Sequence, residues 1–303
     1  MSHPQIAAFA RLANGGAKPT RAIAGQNTLF TRTIHDMAYD NVHDEILVPS
    51  FYAFAILTFK GDANGNVAPV RKIWGPHTRL KNPQAVSVDG VHGEIYVPQN
   101  NNVLVFPREA DGDVAPIRVV EGPDTGLGAG RVTIDPVHNL MITANASGDG
   151  GVGFDDGAEG AAGRGGGQQG RGAGRPRRVA GIRIFDRLAN GNVKPLRVIT
   201  GESKDAWLMT IYPEKGMIFA VVRPGNTGGL EGDISGRYLL DDYVGVWSIY
   251  DDGEVPPRLT IGGPGQLLKD ARGIAVDPKS KDVMVSDKTW NAVFRFHVPE
   301  AFN

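Results

Sequence analysis

The sequence predicts an all-β protein, a β-propeller of four-stranded antiparallel blades. Three observations predict it: one turn-and-strand phrase recurs five times, short alternating strands flank every copy, and no segment carries a helical period. The copies are "LANGGAKPTRAIAG", "DANGNVAPVRKIWGP", "EADGDVAPIRVVEGP", "LANGNVKPLRVITG" and "YDDGEVPPRLTIGG". They align on Gly15, Gly65, Gly112, Gly191 and Gly253. In the first four a proline follows four residues on (Pro19, Pro69, Pro116, Pro195) and an arginine six on (Arg21, Arg71, Arg118, Arg197). The fifth is one residue shorter, with Pro256 and Arg258.

Asn-Gly or Asp-Gly between alternating strands signals a hairpin, because these residues tolerate the positive φ of tight turns. The proline suits an edge strand, which needs fewer ladder donors. Each phrase is therefore read as the outer hairpin of a blade. Its arginine is read as an edge residue, since repetition in every blade argues against a specific site. Between successive phrases lies a second pair of strands, as in "VSVDGVHGEIYVPQ" and "IAVDPKSKDVMVSD". The unit is four strands in about 47 residues, the period of propeller blades.

The motifs resemble bacterial NHL-type propellers. The likeness is carried by "GIAVD" at Gly273 to Asp277, "EIYVPQ" at Glu94 to Gln99, "NVLVF" at Asn102 to Phe106, and the "ANGNVAPVR" turn. It covers nearly the whole chain and implies a fold rather than an activity, since such propellers host binders, scaffolds, lyases and lactonases. It also implies a periplasmic or extracellular parent, although the chain itself opens without a secretory signal.

Naming the strands of a blade a to d from the axis outward, the chain begins with c and d, runs through four complete units and ends with a, b and c. Residues 1–303 thus form one domain of five blades plus an extra N-terminal strand. A d strand from residues 17–25 would close five blades. A start about 30 residues earlier would close six, and six is the expectation for the parent.

Composition narrows the function classes. The net charge is −1, so no overall field points to nucleic acid or membrane, and neither is expected as a partner. No apolar run approaches the ~20 residues of a membrane span. The absence of cysteine excludes disulfides and thiolate metal sites.

The period is broken twice, both times between strands b and c, in adjacent blades. Residues 147–181 are Gly-rich, acidic then basic, and nearly free of apolar residues, so a flexible loop is expected. Residues 223–243 carry Tyr238, Leu239, Leu240 and Tyr243 and could pack. The b–c loops rise on the face where inner strands begin. A binding site is expected there.

Inner strands align on Asp40, Asp89, Asp135, Tyr212 and Asp277. Met37, Val86, Val132, Met209 and Ile274 supply the core. The residues four and five places before the anchors vary in chemistry, which packing does not require. The expected ligand-binding set is His35, Asp36, Gln84, Arg131, Trp207 and Arg272, a mixed-charge channel mouth with one aromatic wall. Its arginines suit a carboxylate or phosphate. His43, His92 and His138 sit in equivalent a–b turns at the opposite face and read as structural.

The function expected is therefore non-enzymatic binding or scaffolding of a protein or a small anionic ligand, with no cofactor. The alternative is a lactonase-like metal-dependent hydrolase, or a lyase, at the same mouth. Calcium would be the ion of a lactonase-like site, but the aligned inner positions supply one carboxylate, Asp36. His35 and Asp36 are the local acid–base candidates.

Overall fold

The computed structural model describes residues 4–32, 34–128, 130–145, 180–224 and 241–302. The first predicted insertion lies almost wholly outside these residues, and of the second only the two ends lie within them. The chain opens with a two-stranded pair, β1 (Gln5–Ala8) and β2 (Arg21–Ala24). Blade 1 follows as β3 (Ala38–Asp40), β4 (Glu45–Ser50), β5 (Ala55–Lys60) and β6 (Arg71–Trp74). Blade 2 is β7 (Ser87–Asp89), β8 (Glu94–Pro98), β9 (Asn102–Pro107) and β10 (Arg118–Glu121). Blade 3 is β11 (Gly130–Asp135), β12 (Leu140–Asn145), β13 (Gly181–Asp186) and β14 (Arg197–Thr200). Blade 4 is β15 (Ala206–Tyr212), β16 (Met217–Val222), β17 (Tyr243–Ser248) and, after the short β18 (Gly253–Glu254), β19 (Leu259–Gly262). Blade 5 has three strands, β20 (Ala271–Asp277), β21 (Asp282–Asp287) and β22 (Ala292–His297).

This is the predicted propeller, strand for strand: c and d, four complete blades, then a, b and c. Strand β2 pairs with β1 and not with β22. Inner strands β3, β7, β11, β15 and β20 touch in sequence around the axis. Five apolar clusters fill five junctions, from the N-terminal pair against blade 1 through to blade 4 against blade 5. Each is built from the alternation of its strands, with one face of each sheet meeting the next blade.

The recurring phrase does more than turn the chain. Strands β5 and β6 are separated by residues 61–70, so Asn64-Gly65 does not close a tight two-residue hairpin. It reaches instead to the preceding outer strand, where Gly65 bridges in parallel to Ile23. Gly112 bridges Ile73, Gly191 bridges Val120, and Gly253 bridges Ile199 in the same way. The residue before each glycine accepts a hydrogen bond from the same neighbour: Ala22 N to Asn64 Oδ1 at 3.1 Å, Lys72 N to Asp111 Oδ1 at 2.8 Å, Val119 N to Asn190 Oδ1 at 3.0 Å, Val198 N to Asp252 Oδ1 at 2.8 Å. The Asx-Gly pair is a clasp between blades.

The edge arginines are structural, as their repetition suggested. Glu94 at the head of β8 binds Arg118 of its own outer strand at 2.7 and 2.8 Å, and Arg187 of the next blade at 2.7 Å. Glu45 holds Arg71 and, at 2.8 Å, Arg108 of blade 2. Each a–b turn is tied the same way three times over. His43, His92 and His138 place Nδ1 2.9, 2.8 and 2.8 Å from Asp40, Asp89 and Asp135, whose other oxygens accept turn N–H groups. These histidines hold turns.

One core expectation fails. Met37 is 43 % exposed, whereas its counterparts Val86 and Val132 are 4 % and 7 % exposed. Val86 packs toward blade 1 and Val132 toward blade 2, so this position faces the preceding blade. Among the described residues, blade 1 meets the β1–β2 pair in front of it, through Ile6 and Ile23, and this pair offers strands c and d without an inner strand.

Candidate functional site

Strand register places the face. Gly130 pairs with Asn145 and Ala206 with Val222, so both insertions leave the ring at the end where the inner strands begin. Arg131 is the second residue of β11, Trp207 of β15 and Arg272 of β20. His35, Asp36 and Gln84 precede the short inner strands β3 and β7.

The alignment put Arg131 four residues before its anchor and Trp207 and Arg272 five before theirs. Two bulges explain this. The ladder slips between Ala206 and Leu208 and between Ala271 and Gly273, leaving Trp207 and Arg272 as the extra residues. A bulged residue escapes the alternation of its strand. Leu208, in the register position of Arg131, is buried in the blade 4–5 junction, and Trp207 is free to meet Arg131.

Three guanidinium groups surround the Trp207 ring: Arg223 at 4.6 Å, Arg272 at 5.5 Å and Arg131 at 5.6 Å from its centroid. Arg223 and Arg272 are ion-paired. Arg223 Nε lies 3.2 Å from Asp242, Arg272 Nε lies 3.0 Å from Asp270, and Arg223 also reaches Asp270. Arg131 is held differently. Its Nη1 donates to the Gln84 carbonyl at 2.8 Å, and its nearest carboxylate, Asp36, is 3.9 Å away. Gln84 thus contributes its backbone oxygen. The indole Nε1 of Trp207 is buried and has no hydrogen-bond partner among the described residues.

Electrostatics follow from depth. Burial raises the Asp36 carboxyl, while the Arg131 charge and the Met37 and Val86 N–H groups pull it back. Burial lowers the His35 imidazole, and the charges of Arg131 and Arg272 lower it further. Its ring meets Phe51 edge-on with centroids 5.7 Å apart. Burial also raises Asp242 against the opposing charge of Arg223. All six expected residues therefore stand at or just before the starts of the inner strands, on one face. Arg223, Asp242 and Asp270 join them. Of these, Arg223 was visible in sequence as the residue after β16, but its ion pairs with Asp242 and Asp270 had no sequence signal.

A concavity of about 820 Å³, open to solvent, lies off the axis between blades 3 and 4. Glu202, Asp205, Asp241 and Glu254 line it with Lys204 and Tyr243, and the Tyr243 hydroxyl donates to Glu202 at 2.7 Å. Its acidic wall suits an anion less well than the mouth does. No group of three or more His, Asp or Glu side chains that could hold a metal occurs among the described residues. No described helix is long and apolar enough to cross a membrane.

No protein-family model matches the chain, and no curated protein matches it in sequence. Among solved structures it is similar to hydrazine synthase from Kuenenia stuttgartiensis, at 11 % identity with a TM-score of 0.51. The match covers 86 % of this chain but 58 % of that one, and the likeness is one of propeller fold alone.

Proposed function

We infer that the chain is a binding module of NHL-repeat type whose channel mouth takes a small anion with two acceptor oxygens, a carboxylate or phosphate group. One observation carries the reading. Beside one another, among the described residues, stand a guanidinium whose nearest carboxylate is 3.9 Å away and an indole N–H with no acceptor. A buried donor without a partner costs free energy, and a ligand oxygen would relieve that cost. Arg223 and Arg272 support the site instead, since their pairing with Asp242 and Asp270 fixes the walls of the Trp207 pocket.

Binding fits this arrangement better than hydrolysis or lyase chemistry at a metal. His35 and Asp36 supply two donors, and a catalytic zinc or calcium site needs more. The test is titration calorimetry with a panel of carboxylates and inorganic phosphate, alongside metal analysis of the purified protein. Arg131→Gln is expected to weaken the best anion about 10- to 100-fold, the value of a charge-assisted hydrogen bond. Unchanged affinity in that variant would remove the mouth as the site. A stoichiometric metal that must be present for binding would favour the metal-dependent alternative.

A further inference from the structure

The channel mouth holds as much carboxylate as guanidinium, and the placing of one carboxylate decides how an anion is taken. Around the Trp207 ring stand Arg131, Arg223 and Arg272. Among the described residues, the carboxylates paired with these three are Asp36, Asp242 and Asp270. Asp287 adds its charge near Asp242 and is bound by the N–H groups of Lys269 and Asp270. These groups leave no surplus of positive charge at the mouth. An anion brought among them adds a negative charge where burial already disfavours one.

Asp36 is the carboxylate least committed to its arginine. Asp242 and Asp270 stand 3.2 and 3.0 Å from Arg223 and Arg272, whereas Asp36 Oδ2 stands 3.9 Å from Arg131 Nη1, beyond hydrogen-bond length. That Nη1 donates to the Gln84 carbonyl at 2.8 Å. The other Asp36 oxygen, Oδ1, accepts the Met37 N–H at 2.9 Å.

The charged group facing Asp36 is Arg131 from β11, and the Val86 N–H, just ahead of β7, faces it too. His35 adjoins it in sequence, and Arg272 from β20 acts on both His35 and Arg131. A ligand oxygen bound to Arg131 therefore comes to lie against Asp36, two acid groups at one guanidinium. Two carboxylates so placed share one proton, because ionising both is costly. Burial already raises the Asp36 carboxyl in the free protein. His35 is the poorer place for that proton, since Arg131 and Arg272 both oppose a charge on it.

We propose, resting on the anion-site reading above, that Asp36 is itself a ligand-binding residue, which takes one proton from solvent as the anion binds and then donates a hydrogen bond to the anion's second oxygen. The step balances. A carboxylate, a proton and an anion become a carboxyl group hydrogen-bonded to that anion, and the charge of the mouth is the same after binding as before. Three donors then hold the ligand: the Arg131 guanidinium, the Trp207 indole N–H and the Asp36 hydroxyl. The sign of the pH dependence follows. Binding favours the protonated acid, so affinity is complete below the free-protein value of Asp36. It falls as pH rises from there to the value in the complex, and levels off above.

The test is titration calorimetry of the full chain in buffers of different ionisation heat, which counts protons taken up per anion. One probe is methanesulfonate, which does not titrate, from about pH 5 to about pH 8; the other is acetate over the upper half of that range. The native chain is expected to take up as much as about one proton per anion, and to lose up to about tenfold in affinity per pH unit within the window. Asp36→Asn keeps the shape without the titration. It is expected to bind both probes with no proton uptake and with affinity changing less than about twofold across the range. Should that variant not fold, Asp36→Ser takes its place. His35→Gln is expected to keep the uptake. Binding by the native chain with no uptake and a flat pH profile overturns the proposal and leaves the anion site standing. Uptake that survives at position 36 but is lost in His35→Gln overturns it as well. Binding of neither probe at any pH overturns the anion-site reading, and the proton coupling with it.

Discussion

Glu94→Ala is expected to cost about 3–5 kcal/mol of folding stability, read as a fall in the urea midpoint at constant slope. The size follows from what the substitution strands. Glu94 and its partner Arg187 are buried and Arg118 is partly buried, the two arginine side chains being 8 % and 15 % exposed. Tyr96 donates to the same carboxylate at 2.5 Å. Removing the acid leaves Arg118 in the junction of blades 2 and 3 without its paired carboxylate and Arg187 with only Asp89, 3.9 Å away, whereas an exposed pair would cost under about 1 kcal/mol. Burial by itself would raise the Glu94 carboxyl. The hydrogen bonds from Arg118 and Tyr96 and the charges of Arg118 and Arg187 outweigh it and hold the group below the usual carboxylate range. Since the folded-state value is depressed, the stabilisation is present above the unfolded-state value and disappears as pH falls through the folded one. Glu45, held low by Arg71 and Arg108 against its own burial, adds to the same acid-side loss. Stability of the native chain should thus drop steeply below about pH 4, and less steeply in Glu94→Ala. A cost under about 1 kcal/mol, with an unaltered acid limb, would place this clamp among ordinary surface pairs.

Trp247→Ala is the second large effect, again about 3–5 kcal/mol, the range for emptying a buried aromatic site. Trp247 is fully buried in the junction of blades 3 and 4, and its Nε1 donates to the Val255 carbonyl at 3.0 Å. Its ring fills the space over Gly245, where a Cβ would lie 2.4 Å from the ring edge. Gly245 has no side chain to move into the vacated space. Trp247→Phe should cost less, by keeping most of the volume while losing the N–H bond. The junction also supports β15, so hydrogen exchange around Trp207 should quicken in the alanine variant. Calorimetric or urea unfolding that finds under about 1 kcal/mol would mean the cavity closes by relaxation.

The blades were legible because one unit is written five times, and alternation with Asx-Gly punctuation survives in every copy. The clasp was not legible in the same phrase, because the partners of Asn64 and Gly65 lie about 40 residues upstream, in another blade. Residue type at the mouth was legible, since the positions four and five before the inner-strand anchors vary from blade to blade where packing asks for no such variety. How they converge was not. A bulge is a property of register between two strands, and no single residue at Ala206–Leu208 announces it. Met37 misled for a similar reason. Its apolar type matches Val86 and Val132, and what differs is the neighbour in front of it.

The bulges at Trp207 and Arg272 have a consequence for how such a ring can be re-purposed. Below each bulge the ladder runs on undisturbed, from Leu208 opposite Val221 to Tyr212 opposite Met217, and from Gly273 opposite Ser286 to Asp277 opposite Asp282. The extra residue is thus a movable part mounted on a fixed frame. Its residue type can be exchanged without shifting the register of the ladder below it, the Trp207 contact with the blade 4–5 core being what such an exchange gives up. A designer wishing to retarget the ring could vary these two positions as a library and leave the rest of the inner strands as they stand.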